Sequence, residues 1–294
     1  MFKPLESNSA VSTTGMSTTA TATTVLRISF IGGGNMASAL IGGLAGKLTD
    51  AANLHVVEIN PEARNRLQQS GVRTSAAIDA TLGDSDVIVL AVKPQQMREV
   101  VTALKPFMTT QVLISIAAGI RAVDLSRWLG GYGAIVRTMP NTPALIGKGI
   151  TGMVALDGVT AQQREHADAI MRAVGATVWL DDEALIDPVT ALSGSGPAYV
   201  FYFIEAMQRA GVALGLTPAQ ASELSIATFV GASQLAANAT DPISLLRERV
   251  TSKGGTTHAA LVSLADSCVD DAIVRAIEAA SARGKELGEE FGRD

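Results

Sequence analysis

From Leu26 to about Val178, short β-branched apolar runs alternate with longer stretches of helical periodicity, the pattern of βαβ units feeding a parallel sheet. The apolar runs predict strands at 27–31, 54–59, 87–92, 112–116, 134–138, 152–155 and 177–180, with helices at 36–46, 61–71, 95–105 and 161–174. Beyond about Asp187 the β-branched runs stop and Ala-rich helical periodicity takes over, at 198–214, 218–237, 242–250, 257–267 and 270–288. Thr217-Pro218 and Asp241-Pro242 each pair an N-cap side chain with proline at the first helical position.

The pattern divides the chain into a tail over 1–25, an α/β, Rossmann-like dinucleotide-binding domain over 26–187 and an all-α domain over 188–294. Within the last, Ala219 to Ala237 carries small or apolar residues round most of the helix. Such a helix is buried on most faces, and a domain of roughly 100 residues cannot easily enclose one. The expectation is an all-α dimerisation domain in a homodimer. In the first 25 residues, 14 are Ser, Thr or Ala, which reads as a disordered tail. A transit peptide would be arginine-rich and poor in acids, whereas this stretch lacks arginine and carries Glu6; Met16 is an alternative internal start.

Composition narrows the function. Of the 294 residues 17% are charged, and the net charge of −5 offers no basic footprint for nucleic acid or anionic lipid. The longest apolar run, Val112 to Ile120, falls well short of the ~20 residues that span a bilayer. One cysteine and three histidines exclude a disulfide framework and a structural Cys/His zinc cluster, so no metal is expected. A reducing, cytoplasmic setting follows, with small-molecule or protein partners. Cys268 falls within the helical pattern and reads as a core thiol.

The strongest motif is Gly32-Gly33-Gly34-Asn35-Met36-Ala37 after the strand ending at Ile31, which fits G-x-G-x-x-A. The first glycine permits the tight turn, Gly34 lets a pyrophosphate approach the backbone, and Ala37 lets helix and strand pack closely. A second strand about 20 residues later completes the context of a dinucleotide site. That strand runs into Glu58-Ile59-Asn60 and on to Arg64. Glu58 on a ribose 2′-hydroxyl would favour NAD, whereas Asn60 and Arg64 would suit a 2′-phosphate. The reading leans to NADPH and keeps NADH open. Ala91-Val92-Lys93-Pro94 and Ile116-Ala117-Ala118 end two further strands at the same crevice, where small residues suit passage of a nicotinamide ribose.

In the helical half, Val250-Thr251-Ser252-Lys253-Gly254-Gly255-Thr256-Thr257 is a glycine-rich loop entering a helix, with hydroxyls and free N–H groups at the positive end of the dipole. It is suited to a small carboxylate. His258 has no evident carboxylate partner and reads as a surface residue.

On IGGGNMA, AVKP, SIAAG, MPNTPA, SGSGPAYVF and VTSKGGTT, the chain resembles the pyrroline-5-carboxylate reductases over about Leu26 to Leu287. The resemblance implies reduction of the cyclic imine 1-pyrroline-5-carboxylate to L-proline with hydride from NADPH or NADH, and helical domains that interlock in dimers, which assemble into decamers. It implies cofactor contacts from Ile31, Gly32, Gly33, Gly34, Asn35 and Met36, from Asn60, from Ala91 to Pro94 and from Ile116 to Ala118. Glu183, Val250, Ser252, Thr256 and Thr257 would surround substrate, with the Thr257 hydroxyl near the ring nitrogen. Some relatives carry an asparagine where this chain aligns Ile78, and no role is carried to that position. Two other readings compete: a β-hydroxyacid dehydrogenase, which needs a lysine base on a helix that Lys253 and Lys285 do not supply, and a dinucleotide sensor that binds without turnover.

Overall fold

Four strands, β1 (Ile28–Ile31), β2 (Leu54–Val57), β4 (Val87–Leu90) and β5 (Val112–Ser115), are buried at every residue. That is what a parallel sheet covered on both faces requires, and it is why their sequences read as continuous apolar runs. The computed structural model describes residues 25–293, so the tail and the alternative start at Met16 lie outside the described residues. With β3 (Arg73–Ser75), β6 (Ile135–Met139), β7 (Gly149–Ala155) and β8 (Gly175–Trp179), these strands form one sheet in the order β3-β2-β1-β4-β5-β6-β7-β8, parallel except between β6 and β7. The reversal between β1 and β4 is the topological switch point of a doubly wound fold.

Alternation sorts the strand side chains between two cores. Ile28, Phe30, Val87, Val89, Val112 and Ile114 face one side, covered by α1 (Asn35–Leu44) and α5 (Ala161–Arg172). Ile31, Ile88, Leu90 and Leu113 face the other, covered by α3 (Met97–Leu104) and α4 (Ala122–Trp128). The helix α2 (Pro61–Gln69) lies between β2 and β3 in the chain. The sequence reading lacked both β3 and α4. The edge strand β3 is only Arg-Thr-Ser, with no apolar run, and α4 spans only two turns, six residues after β5.

After β8 the chain turns through α6 (Ile186–Val189) and a π-helical turn at Thr190–Gly194 into α7 (Gly196–Ala213), α8 (Pro218–Asn238), α9 (Ile243–Arg249), α10 (Thr256–Asp266) and α11 (Val269–Phe291). Thr217 caps α8 in a full capping box with Gln220, as its sequence predicts. Asp241 does not cap α9: the helix starts at Ile243, and the Asp241 carboxylate accepts instead from Arg249 Nη1 at 2.6 Å. Cys268 is not a core thiol. It is exposed in the turn between α10 and α11 with φ of 50°, because the helix breaks there and swings the side chain outward. The C-terminal end of α11 returns to the sheet half, where Gly284 and Gly288 are buried and the Gly292 carbonyl accepts from Arg127 Nη2.

Candidate active site

The glycine-rich turn is shaped by two constraints. Gly32 sits at φ 99°, and a Cβ there would meet the Ala91 carbonyl oxygen at 2.8 Å, so both backbone and space demand glycine. Its N–H donates to Val57 O at 2.8 Å, which pins the turn to the end of β2. Gly34 faces open space, with nothing within 4 Å of a built Cβ. It precedes α1, whose N-terminus has no side-chain cap and no acid in its first turn. Free amides at the positive end of a helix, beside an open glycine, fit the pyrophosphate of a dinucleotide.

The strand ends on either side complete the crevice. Ala91 N donates to Ile31 O at 2.9 Å and Ile116 N to Leu90 O at 3.2 Å, so Ile31–Met36, Ala91–Pro94 and Ile116–Ala118 stand side by side beyond β1, β4 and β5. Beyond β2, the Asn60 Oδ1 accepts from the N–H groups of Glu62 (2.9 Å) and Ala63 (3.2 Å) and caps α2. Arg64 Nη1 donates to the carbonyls of Glu58 (2.6 Å) and Ile59 (2.9 Å). Glu58 turns inward, its two oxygens accepting from Gly33 N and Asn60 N. The segments singled out in the sequence for cofactor thus lie at the carboxyl ends of β1, β2, β4 and β5, around the switch point. Ile78 packs partly buried against the core beneath this region.

The predicted substrate residues are not brought together. Val250, Ser252, Thr256 and Thr257 are exposed, and apart from the backbone ladder of α10 the hydrogen bonds of 250–257 stay within 247–259 among the described residues. A Cβ on Gly254 would meet nothing within 4 Å. Glu183 stands elsewhere, at the junction of the two halves. Its Oε1 accepts from Ala122 N at 2.6 Å, at the head of α4, and from Arg137 Nη1 at 2.9 Å.

Arg137 is the charged residue that sequence reasoning passed over. Its side chain is 3% exposed, with Asp187 Oδ1 3.8 Å from Nη2 and no partner for Nε. Burial pushes the Asp187 carboxyl up, opposed by Arg137. An arginine inside the apolar run Ile135–Met139 was the available signal, since such a charge is buried only when paired. Nearby, Asn141 bridges two motifs, donating from Nδ2 to Ser193 O (3.1 Å) and accepting at Oδ1 from Ile150 N (3.0 Å). MPNTPA and SGSGPAY are thus packed against each other. His258 is exposed in a groove of about 540 Å³ between α9, α10 and α11. Among the described residues no group of three or more His, Cys, Asp or Glu could hold a metal, and no helix is long and apolar enough to cross a membrane.

Comparison with known proteins bears on both halves. A family model described as "Pyrroline-5-carboxylate reductase dimerisation" matches residues 183–287, and one described as "NADP oxidoreductase coenzyme F420-dependent" matches residues 27–119. The pyrroline-5-carboxylate reductase of Pseudomonas aeruginosa is 44% identical over 271 residues, 91% of this chain and 98% of that protein. That of Haemophilus influenzae is 40% identical over 88% of this chain and 97% of its own length. Among solved structures, the Coxiella burnetii pyrroline-5-carboxylate reductase is similar with a TM-score of 0.85 at 38% identity, covering 90% of this chain and 98% of that one. The Plasmodium falciparum pyrroline carboxylate reductase, solved with NADP bound, is similar with a TM-score of 0.80 at 30% identity over 90% and 98% of the two chains. With both halves matched and near full-length identity of this order, the chain belongs to the pyrroline-5-carboxylate reductase family.

Proposed function

We propose that the protein reduces the C=N bond of 1-pyrroline-5-carboxylate to L-proline, using NADPH in preference to NADH. The observation that carries this reading is the crevice at the switch point, built from residues 31–36, 91–94 and 116–118, in a chain that matches pyrroline-5-carboxylate reductases along nearly its whole length. The dinucleotide, when bound, supplies hydride. The free amides at the head of α1 hold its pyrophosphate, Asn60 and Arg64 its 2′-phosphate, and the small strand-end residues let its nicotinamide end lie close to the backbone.

Substrate binding falls to the loop at 250–257. Its amides and the hydroxyls of Ser252 and Thr256 take the carboxylate, Val250 borders the ring, and Thr257 Oγ1 offers its proton to the ring nitrogen. A C=N bond near its protonated state is already electrophilic, so the protein chiefly aligns the reacting carbons and excludes water. No strong acid is needed, which suits a site without a buried histidine or lysine. Glu183 serves by fixing α4 and Arg137, at the boundary near Asp187 that we propose between the two domains.

Because the loop is exposed in one chain, we assign its crevice partner to a second subunit of a homodimer. Assembly of dimers into decamers and a cytoplasmic location are the finer parts of this reading.

Purified protein mixed with pyrroline-5-carboxylate and either dinucleotide should yield proline and oxidised cofactor. Retained dinucleotide binding without turnover would favour a sensor. Thr257→Ala should lower kcat/KM for the imine about ten-fold through a lost polar contact, and unchanged kinetics would remove Thr257 from the site.

A further inference from the structure

An acid at the end of the second strand of a dinucleotide fold ordinarily faces outward to a ribose hydroxyl. Glu58 holds that position here and does something else. Its Oε2 accepts from Gly33 N at 2.7 Å and its Oε1 from Asn60 N at 2.8 Å, two short charge-assisted bonds to backbone N–H groups on either side of the crevice. We propose that Glu58 is a positioning residue that braces the glycine-rich turn against the head of α2, leaving discrimination between NADPH and NADH to Asn60 and Arg64. This rests on the dinucleotide reading of that turn.

Three features of the geometry support the brace. The carboxylate lies directly under the turn: a Cβ built on Gly33 would stand 3.2 Å from Oε2 and 3.5 Å from Cγ. Glu58 thus ties together turns 25 residues apart in sequence, and Gly32 N donating to Val57 O reinforces the same seam. The Gly33 amide is occupied by this bond, so anion binding falls to the free amides that open α1. On the outer side, Glu58 and Ile59 present their carbonyls to Arg64 Nη1. That anchors the guanidinium at the strand end, while Nε and Nη2 have no protein acceptor among the described residues. An anchored guanidinium with unused donors suits a phosphate. The carboxylate is spent on backbone, and the cation beside it reads the 2′ position.

The two roles for Glu58 predict opposite outcomes. The test is direct fluorescence titration of wild type, Glu58→Ala, Glu58→Gln and Arg64→Ala with NADPH and with NADH, in the absence of imine. The brace predicts that Glu58→Ala weakens both dinucleotides by the same factor, about ten-fold for a lost charged hydrogen-bond pair, with their ratio changed less than about two-fold. Glu58→Gln keeps the side chain's shape and one acceptor, and should show a smaller but equally unselective loss. Arg64→Ala should weaken NADPH alone. With saturating cofactor, kcat of both Glu58 variants should stay near wild type, separating cofactor positioning from general damage to the fold.

A Glu58 variant that loses NADH affinity while holding or tightening NADPH would overturn the brace, since a ribose-reading carboxylate contacts a hydroxyl that NADPH lacks. Unchanged affinity for both would overturn it equally. Wild type that binds neither dinucleotide would end the cofactor reading and the brace together, whereas wild type that binds both without reducing the imine would end only the reductase reading.

Discussion

The two halves of this chain solve the problem of burial differently. In the sheet half, both faces of the sheet are covered and the two apolar cores are complete within one chain. In the helical half almost nothing large is buried. Of the 21 residues of α8 only Ala221 and Ser225 are buried, while Leu224, Ile226, Val230 and Leu235 are exposed. Phe201, Tyr202 and Leu214 of the preceding segment are exposed as well. A folded monomer rarely leaves so many large apolar side chains of one helix pair exposed. The difference teaches that the sheet half closes its own cores, whereas the helical half, which matches the dimerisation family model, leaves apolar surface for the second copy proposed above to cover. It also agrees with the proposal that the exposed loop at 250–257 meets the crevice of a second copy.

This contrast can be broken most decisively at α8. Val230 is 60% exposed in one chain, and a core shared with a second copy predicts that Val230→Asp buries an unpaired charge at a cost of about 3 to 5 kcal/mol, twice over if the interface is symmetric. Light scattering should then report the 30.4 kDa monomer with imine reduction lost, and an unchanged dimer would refute the shared core. The sheet half should respond differently to injury. Ile114→Ala, at a fully buried position, should cost about 2 to 5 kcal/mol of stability through the cavity it leaves, with the oligomeric mass unchanged. If the mass fell with Ile114→Ala, the halves would not be as separable as their cores suggest.

The smallest effect concerns pH. His55 on β2 is buried, its Nε2 3.1 Å from Ser75 Oγ and its Nδ1 3.2 Å from Ser29 Oγ. Ser75 Oγ donates to Ala77 O, so it accepts from Nε2–H, and Nδ1 accepts from Ser29. Burial first, then Arg73, holds the imidazole below its ordinary pKa, against a smaller opposing effect of Asp79. The unfolded chain therefore binds more protons below about pH 6.5 than the folded one, and stability contributed by neutral His55 above that pH is lost as pH falls. Urea midpoints measured from about pH 7.5 down to about pH 5 should fall more steeply for wild type than for His55→Gln. Parallel slopes would show that the imidazole is not kept neutral.

Much of the sheet half was legible because its central strands are buried on both faces and so are mostly apolar, and because the spacing of Gly32, Gly34 and Ala37 is visible as a motif. The edge strand β3 was not, since an edge strand of three polar residues carries no periodic signal. Asp241 shows a related limit: its spacing before Pro242 matches a cap, but Arg249, one helix away, offers a stronger partner. Cys268 misleads in the same way, because a single residue in the left-handed region inverts which side of a helical pattern faces out.

By itself, the sequence determined most of the strands and helices, the dinucleotide turn, the change of character near Asp187 and the apolar surplus of the helical half. These rest on local propensity, steric necessity and periodicity, all written within a few residues of where they act. Only the tertiary structure decided that Glu58 faces Gly33, that Glu183 joins Arg137 and Asp187 at the domain junction, and that the loop at 250–257 stands clear of its own crevice. Each of these depends on which partner lies nearest across distances of tens of residues, and a charged side chain's role is set by whichever donor reaches it first in space.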